Sequence, residues 1–240
     1  MNSYEQKAKQ ELRIWQQKML KKPSLTGRLT KRLQTKANNL IPEKVHEVVT
    51  EANKQMVKVV LFGSKYITQR PLREGTLEER ERLVGEKLNT YKKAAITSGA
   101  GTGAGGILLG LADYPILLSI KIKFLFDTAG LYGFDVRDYR ERVYILHIFQ
   151  LAFSSEQRRL EVYQQIINWD DYVRELPSDI NSFDWRTFQQ EYRDYIDLAK
   201  MLQLVPGIGA IVGAYANYRF LDKLGETAIN ANRLRFPDLR

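Results

Sequence analysis

Two long stretches of this chain carry no charged side chain, and they constrain its fold more than any other feature. Residues 94–112 read AAITSGAGTGAGGILLGLA, 19 residues with six glycines. Residues 201–218 read MLQLVPGIGAIVGAYANY, 18 residues with Pro206 and three glycines. Runs of this length do not make a solvated helix face, which needs polar residues along one side. They must meet protein, lipid or a ligand.

Three readings compete. Gly101-Thr102-Gly103-Ala104-Gly105-Gly106 matches the glycine pattern of a phosphate loop. That loop needs a strand before it and a ribose-binding acid about twenty residues on. A charged helical segment precedes it here, and Asp127, at a suitable distance, lies inside an apolar helical run. No nucleotide is expected. A transmembrane pair is the second reading, since a span needs about 20 apolar residues. Glycine lowers the hydropathy of both stretches, Pro206 interrupts one and Asp113 ends the other, so a shallow hairpin is the most that reading allows. The third reading is close helix packing. Gly99 and Gly103, Gly106 and Gly110, and Gly209 and Gly213 have the small-xxx-small spacing that lets helix backbones approach. This reading is favoured, with Asp113 expected to cap a helix that starts near Pro115.

The rest of the chain reads as helices. Tyr4, Ala8, Leu12, Trp15 and Met19 recur at helical spacing between Met1 and Lys22, and Pro23 should end that helix. A second helix is predicted from Pro42 to about Thr68. Thr76 and Glu79 have capping-box spacing ahead of a third. Asp135, Ser154 or Ser155, and Trp185 are expected to open further helices, and the acidic stretch 170–184 to form a loop with short turns. No alternating strand pattern occurs. The predicted fold is all-α, a compact multi-helix assembly with the two Gly/Ala-rich segments at its centre and no sheet. Residues 1–41 form basic amphipathic helices and residues 42–240 the main helical domain, in one continuous unit.

Net charge is +9, and eleven of the Lys and Arg residues fall in residues 1–45 against three Glu. A basic front end on a nearly neutral body points to phosphate. Lys7, Lys9, Arg13, Lys18, Lys21 and Lys22 flank the Trp15 stripe, which suits an anionic bilayer surface. The alternative is that the stripe packs onto the body and leaves the charges solvated. No nucleic-acid motif accompanies the charge. Met1 to Lys22 never builds a continuous apolar run, so the expected location is cytoplasmic, at the inner face of the cell membrane.

Catalytic residues are scarce. The chain has no cysteine and two histidines. His46 begins an H-E pair but lacks the second metal ligand, and His147 lies between apolar neighbours as a core histidine. No metal or cofactor is expected. Asp113 beside an uncharged run could do acid–base work if buried, but no partner lies near it in sequence.

Gly103-Ala104-Gly105-Gly106-Ile107, Leu111-Ala112-Asp113-Tyr114-Pro115 and Phe134-Asp135 resemble the EcsC family, as do Val205-Pro206-Gly207-Ile208-Gly209-Ala210 and Asn217-Tyr218-Arg219-Phe220. The resemblance implies a bacterial protein that accompanies an ABC transporter with an EcsA-type ATPase and an EcsB-type membrane subunit. It implies no assigned activity, so no catalytic residue is carried over. Gly99, Gly103, Gly106, Asp113, Pro115, Pro206, Gly209, Gly213 and Asn217 are the motif positions, with architectural roles. The expected function is that of a non-catalytic helical accessory protein at the cytoplasmic membrane surface. The alternatives are an enzyme of unknown class using Asp113 in a pocket between the Gly-rich segments, and a lipid- or partner-binding helical scaffold.

Overall fold

The computed structural model describes residues 2–21, 43–62, 70–100, 106–154, 158–184, 186, 188 and 210–239. Among them are eight α-helices and no sheet, as the missing strand periodicity predicts. They are α1 (Ser3–Leu20), α2 (Glu43–Phe62), α3 (Leu77–Ala100), α4 (Gly106–Tyr132), α5 (Tyr139–Phe153), α6 (Arg159–Ile167), α7 (Trp169–Glu175) and α8 (Ala210–Arg233). Two 3-10 turns, Ile180–Ser182 and Pro237–Leu239, complete the set.

Cross-helix pairs fix the directions. Glu81, Lys87 and Tyr91 of α3 meet Tyr132, Asp127 and Phe124 of α4 in descending order. Glu81, Leu88 and Lys92 of α3 meet Arg233, Gly225 and Asp222 of α8 in the same sense. So α3 runs antiparallel to both. Tyr144 donates to the Ala231 carbonyl at 2.6 Å and Phe153 meets Phe220, which sets α5 antiparallel to α8. Glu11 with Arg233 and Lys18 with Glu226 set α1 antiparallel to α8 as well. The C-terminal ends of α1, α3 and α5 therefore share one pole of the molecule with the N-terminal ends of α4 and α8, so the described parts of the two Gly/Ala-rich segments lie at that pole and not, as expected, at the centre.

The core between these helices is built from Phe124, Phe126, Tyr144, Phe149, Phe153 and Leu117, all buried. Gly225 faces Leu88 where α3 meets α8. A Cβ there would come within 2.7 Å of Leu88 Cδ2, so any side chain at this position needs the Leu88 methyls to shift.

The opposite pole is tied by backbone carbonyls. Arg80 donates from Nη1 to the carbonyls of Leu72 (2.7 Å) and Leu131 (2.8 Å) and from Nε to Gly75 (3.1 Å). Helix α4 ends there with Gly133 at φ +96°. Phe134 N–H reaches the Ala129 carbonyl and Gly133 N–H the Gly130 carbonyl, a Schellman ending that favours glycine.

Several sequence expectations shift. The Thr76–Glu79 capping box is present, with Thr76 N–H on Glu79 Oε2 at 2.8 Å. Asp113 is not an N-cap: α4 begins at Gly106 and runs through Pro115. Proline in a helix interior costs about 3 kcal/mol. Burial of Tyr114, Leu117, Leu118 and Ile122 on the same helix offsets that cost, while Pro115 itself stays exposed. Asp138, not Asp135, caps α5, accepting from Arg140 N–H; Asp135 instead holds Arg137. Ser154 closes α5 instead of opening the next helix. Helix α6 ends at Asn168, and Trp169 starts α7. The helix expected from Trp185 falls largely outside the described residues.

Candidate functional site

Helix α1 starts at a full capping box. Asn2 Oδ1 accepts from Glu5 N–H and Glu5 Oε2 from Asn2 N–H, both at 2.8 Å. Its apolar stripe of Ala8, Leu12, Trp15 and Met19 is buried. Trp15 is 3% exposed and meets Tyr163 of α6 edge-on at 5.7 Å. The stripe thus packs onto the body, and Trp15 lies in the core instead of facing outward. What α1 presents outside is its basic face. Lys7, Arg13, Lys18 and Lys21 are exposed and Lys9 is half-buried.

A buried polar cluster holds α1 in place. Arg233 contacts Glu81 through Nε (2.7 Å) and Nη2 (2.6 Å), and its Nη1 reaches Glu11 of α1 at 2.9 Å. Tyr132 and Tyr4 donate to the two oxygens of Glu81 at 2.8 and 2.7 Å. Burial, then the hydrogen bond and charge of Glu81, push the Tyr4 hydroxyl well above its ordinary range, so it stays a donor. The cluster joins α1, α3, α4 and α8, and every strong acceptor in it faces a donor.

The C-terminal end of α1 gathers cations from distant parts of the chain. The Lys21 carbonyl accepts from Arg159 Nη2 at 2.8 Å, which brings the start of α6 beside it. Lys18 pairs with Glu226 of α8 at 2.9 Å. A cleft of about 540 Å³ lies alongside, lined by Lys18, Arg219, Phe220, Asp222, Lys223 and Glu226. Its two acids already meet lysines, Glu226 with Lys18 and Asp222 with Lys92 of α3. Lys92 also sits 4.5 Å over the Tyr218 ring. Lys18, Lys21, Arg159, Arg219 and Lys223 thus form a basic pole with Leu20 and Leu160 exposed at its edge. The first two were expected from sequence. Arg159, Arg219 and Lys223 were missed, although Arg219 follows the second uncharged stretch directly.

The remaining motif positions fall on three helices or outside the described residues. Lys22, Gly103, Pro206 and Gly209 lie outside the described residues. Gly99 is in the last turn of α3, Gly106 and Asp113 are in the first half of α4, and Gly213 and Asn217 are in the first half of α8. Buried Asp127 is engaged by Tyr91 (2.9 Å), Lys87 (3.1 Å) and Lys123 (3.7 Å). His147 is buried among Trp169, Tyr172 and Phe188, and its Nδ1 donates to the Val143 carbonyl at 2.9 Å. Burial pulls it down to about 4, so the ring is neutral, as a core histidine should be. Lys121 is fully buried with Nζ 3.4 Å from the Leu117 carbonyl, and burial lowers it to about 7. Among the described residues no group of three or more His, Asp or Glu could hold a metal ion.

Comparison with known proteins covers nearly the whole chain. The model of the EcsC protein family matches residues 6–236. Protein EcsC of Bacillus subtilis (strain 168) is 48% identical over 227 residues, 94% of this chain and 93% of that one. Uncharacterized protein YdbA of the same organism is 28% identical over 214 residues, 80% of this chain and 78% of that one. No solved structure matches.

Proposed function

We propose that this chain, which belongs to the EcsC protein family, is a non-catalytic accessory protein working on the anionic inner surface of the cell membrane. The observation that carries the reading is the basic pole, where α1, α6 and α8 bring Lys18, Lys21, Arg159, Arg219 and Lys223 together. Each cation near an anionic leaflet contributes about 1 kcal/mol; Glu226 offsets Lys18, and the other four support reversible adsorption that salt weakens. No helix among the described residues is long and apolar enough to cross a membrane, and the proposed contact needs none. Transporter subunits of the EcsA/EcsB type are the proposed partners at that surface, and family membership is the support for them.

Vesicle flotation tests the reading. The purified protein should float with phosphatidylglycerol-containing vesicles at low salt and be released at high salt. It should stay behind with pure phosphatidylcholine. Failure to float with the anionic vesicles at low salt contradicts the proposal.

A further inference from the structure

We infer that the ends of α3, α4 and α8 at the basic pole, which carry Asp113 as their one charge, are the part that enters the lipid interface. The inference rests on the membrane-surface reading and names the element that penetrates. The antiparallel register places Ile96 of α3 level with Tyr218 of α8, since Lys92 meets Asp222 and Leu88 meets Gly225. Ile116 of α4 lies about one turn nearer the tip, because Lys87 and Tyr91 meet Asp127. All three side chains are exposed, Ile116 by 51% and Ile96 and Tyr218 by 39% each. Among the described residues these three large apolar side chains lie exposed toward one end, Tyr218 with one ring face against the Lys92 ammonium.

The helices continue past these residues nearly without charge. From Tyr218 back to Ala210, α8 extends about 12 Å, and from Ile116 back to Gly106, α4 extends about 15 Å, at 1.5 Å per residue. Residues 94–112 and 201–218 hold no charged side chain, so Asp113 is the one charge on these helix ends. Cations lie just behind. Arg219 follows Tyr218, Lys93 precedes Ile96 by three residues, and Lys223 and Lys21 come within the next turns. An apolar tip with a basic collar matches the two layers of an anionic bilayer surface, acyl boundary and phosphates. The buried Trp15 stripe of α1 is not available for this contact.

Depth is limited by α2. It meets α4 where Tyr114 donates to Asn53 Oδ1 at 3.3 Å, and it exposes Glu47, Glu51, Lys54 and Lys58. Those charges keep that flank at the headgroups. The tip therefore dips to the depth of an interfacial element, about 5–10 Å, and does not cross.

The chain has no cysteine, so single cysteines carry a unique label. Ile96→Cys, Ile116→Cys and Tyr218→Cys variants, each bearing a nitrobenzoxadiazole fluorophore, are mixed with phosphatidylglycerol-containing vesicles at low salt. Ile14→Cys, on the exposed face of α1 and level with Asn230 of α8, about 18 Å behind Tyr218 along the helix, serves as reference. Emission at the three pole positions should rise several-fold and move to the blue, with Ile14→Cys unchanged. Flotation of the same samples separates the claims. A protein that floats with silent pole labels, or with the response at Ile14→Cys, overturns the inference and leaves the membrane reading standing. Labels that respond to rising protein concentration without lipid assign the tip to self-association and overturn it too. A protein that does not float overturns both.

Discussion

Arg233 meets Glu81 side-on, with Nε and Nη2 each within 2.7 Å of a different carboxylate oxygen and the two side chains 6% and 4% exposed. This pair is where α1, α3, α4 and α8 come together. Burying two charges is costly, and it is tolerated here because Tyr4, Tyr132 and Glu11 complete the hydrogen bonding.

Removing one partner should therefore hurt more than removing both. Glu81→Ala leaves the Arg233 charge buried without its main partner, and a loss of about 3–5 kcal/mol is expected. Arg233→Met combined with Glu81→Leu should recover part of that loss. Urea denaturation of the variants measures both. An unchanged midpoint for Glu81→Ala would mean that the cluster does not fasten α1 to the body.

Gly225 makes a second test of the helix contacts. Gly225→Val must push Leu88 aside, because even a Cβ comes within 2.7 Å of it, and overpacking of this kind costs about 1–3 kcal/mol. Adding Leu88→Ala should return much of the lost stability if the clash is with that side chain. Thermal melts of the two variants decide this. A double variant no better than Gly225→Val alone would place the strain elsewhere.

Lys121 gives the protein a pH signature. Burial lowers it from its ordinary 10.5 to about 7. Between these values the unfolded chain holds a proton that the folded chain does not, so this residue makes stability rise with pH across that window. Below about pH 7 both states are protonated and the full penalty remains. Lys121→Met should stabilise the protein most at pH 6–7. Its advantage over wild type should then shrink by about 1.4 kcal/mol per unit toward pH 10. Denaturation midpoints compared across that range check it. A constant difference would show that Lys121 keeps its ordinary affinity for protons.

How much of this was legible in the sequence varies by element. The all-α class followed from periodicity. The α1 stripe was visible as Ala8, Leu12, Trp15 and Met19, because four-step spacing is a local property. The Thr76–Glu79 cap was visible for the same reason. The course of α4 was not. Asp113-Tyr114-Pro115 reads as a helix start, and only the burial of Tyr114 and Leu117 in the folded core shows why the helix runs through it. Sequence also left open whether the Trp15 stripe faces lipid or protein, since both reward the same pattern. The Arg233–Glu81 pair and the basic pole had no local signal. Glu81 and Arg233 are 152 residues apart, and Arg159 and Lys21 are 138 apart. Only tertiary contacts bring such groups together.

If the basic pole binds the anionic membrane surface, reversing its charge must weaken that binding. Lys21→Glu, Arg219→Glu and Lys223→Glu would be combined in one protein. An equal reversal of Arg73, Arg137 and Arg174, exposed residues toward the other end of the molecule, would be made in a second. At about 1 kcal/mol per lost cation, the first protein should bind phosphatidylglycerol-containing vesicles at least about a hundredfold more weakly at low salt. The second, with the same net charge, should stay close to wild type. Equal loss in both proteins, or undiminished binding by the first, would show that the basic pole is not the binding surface.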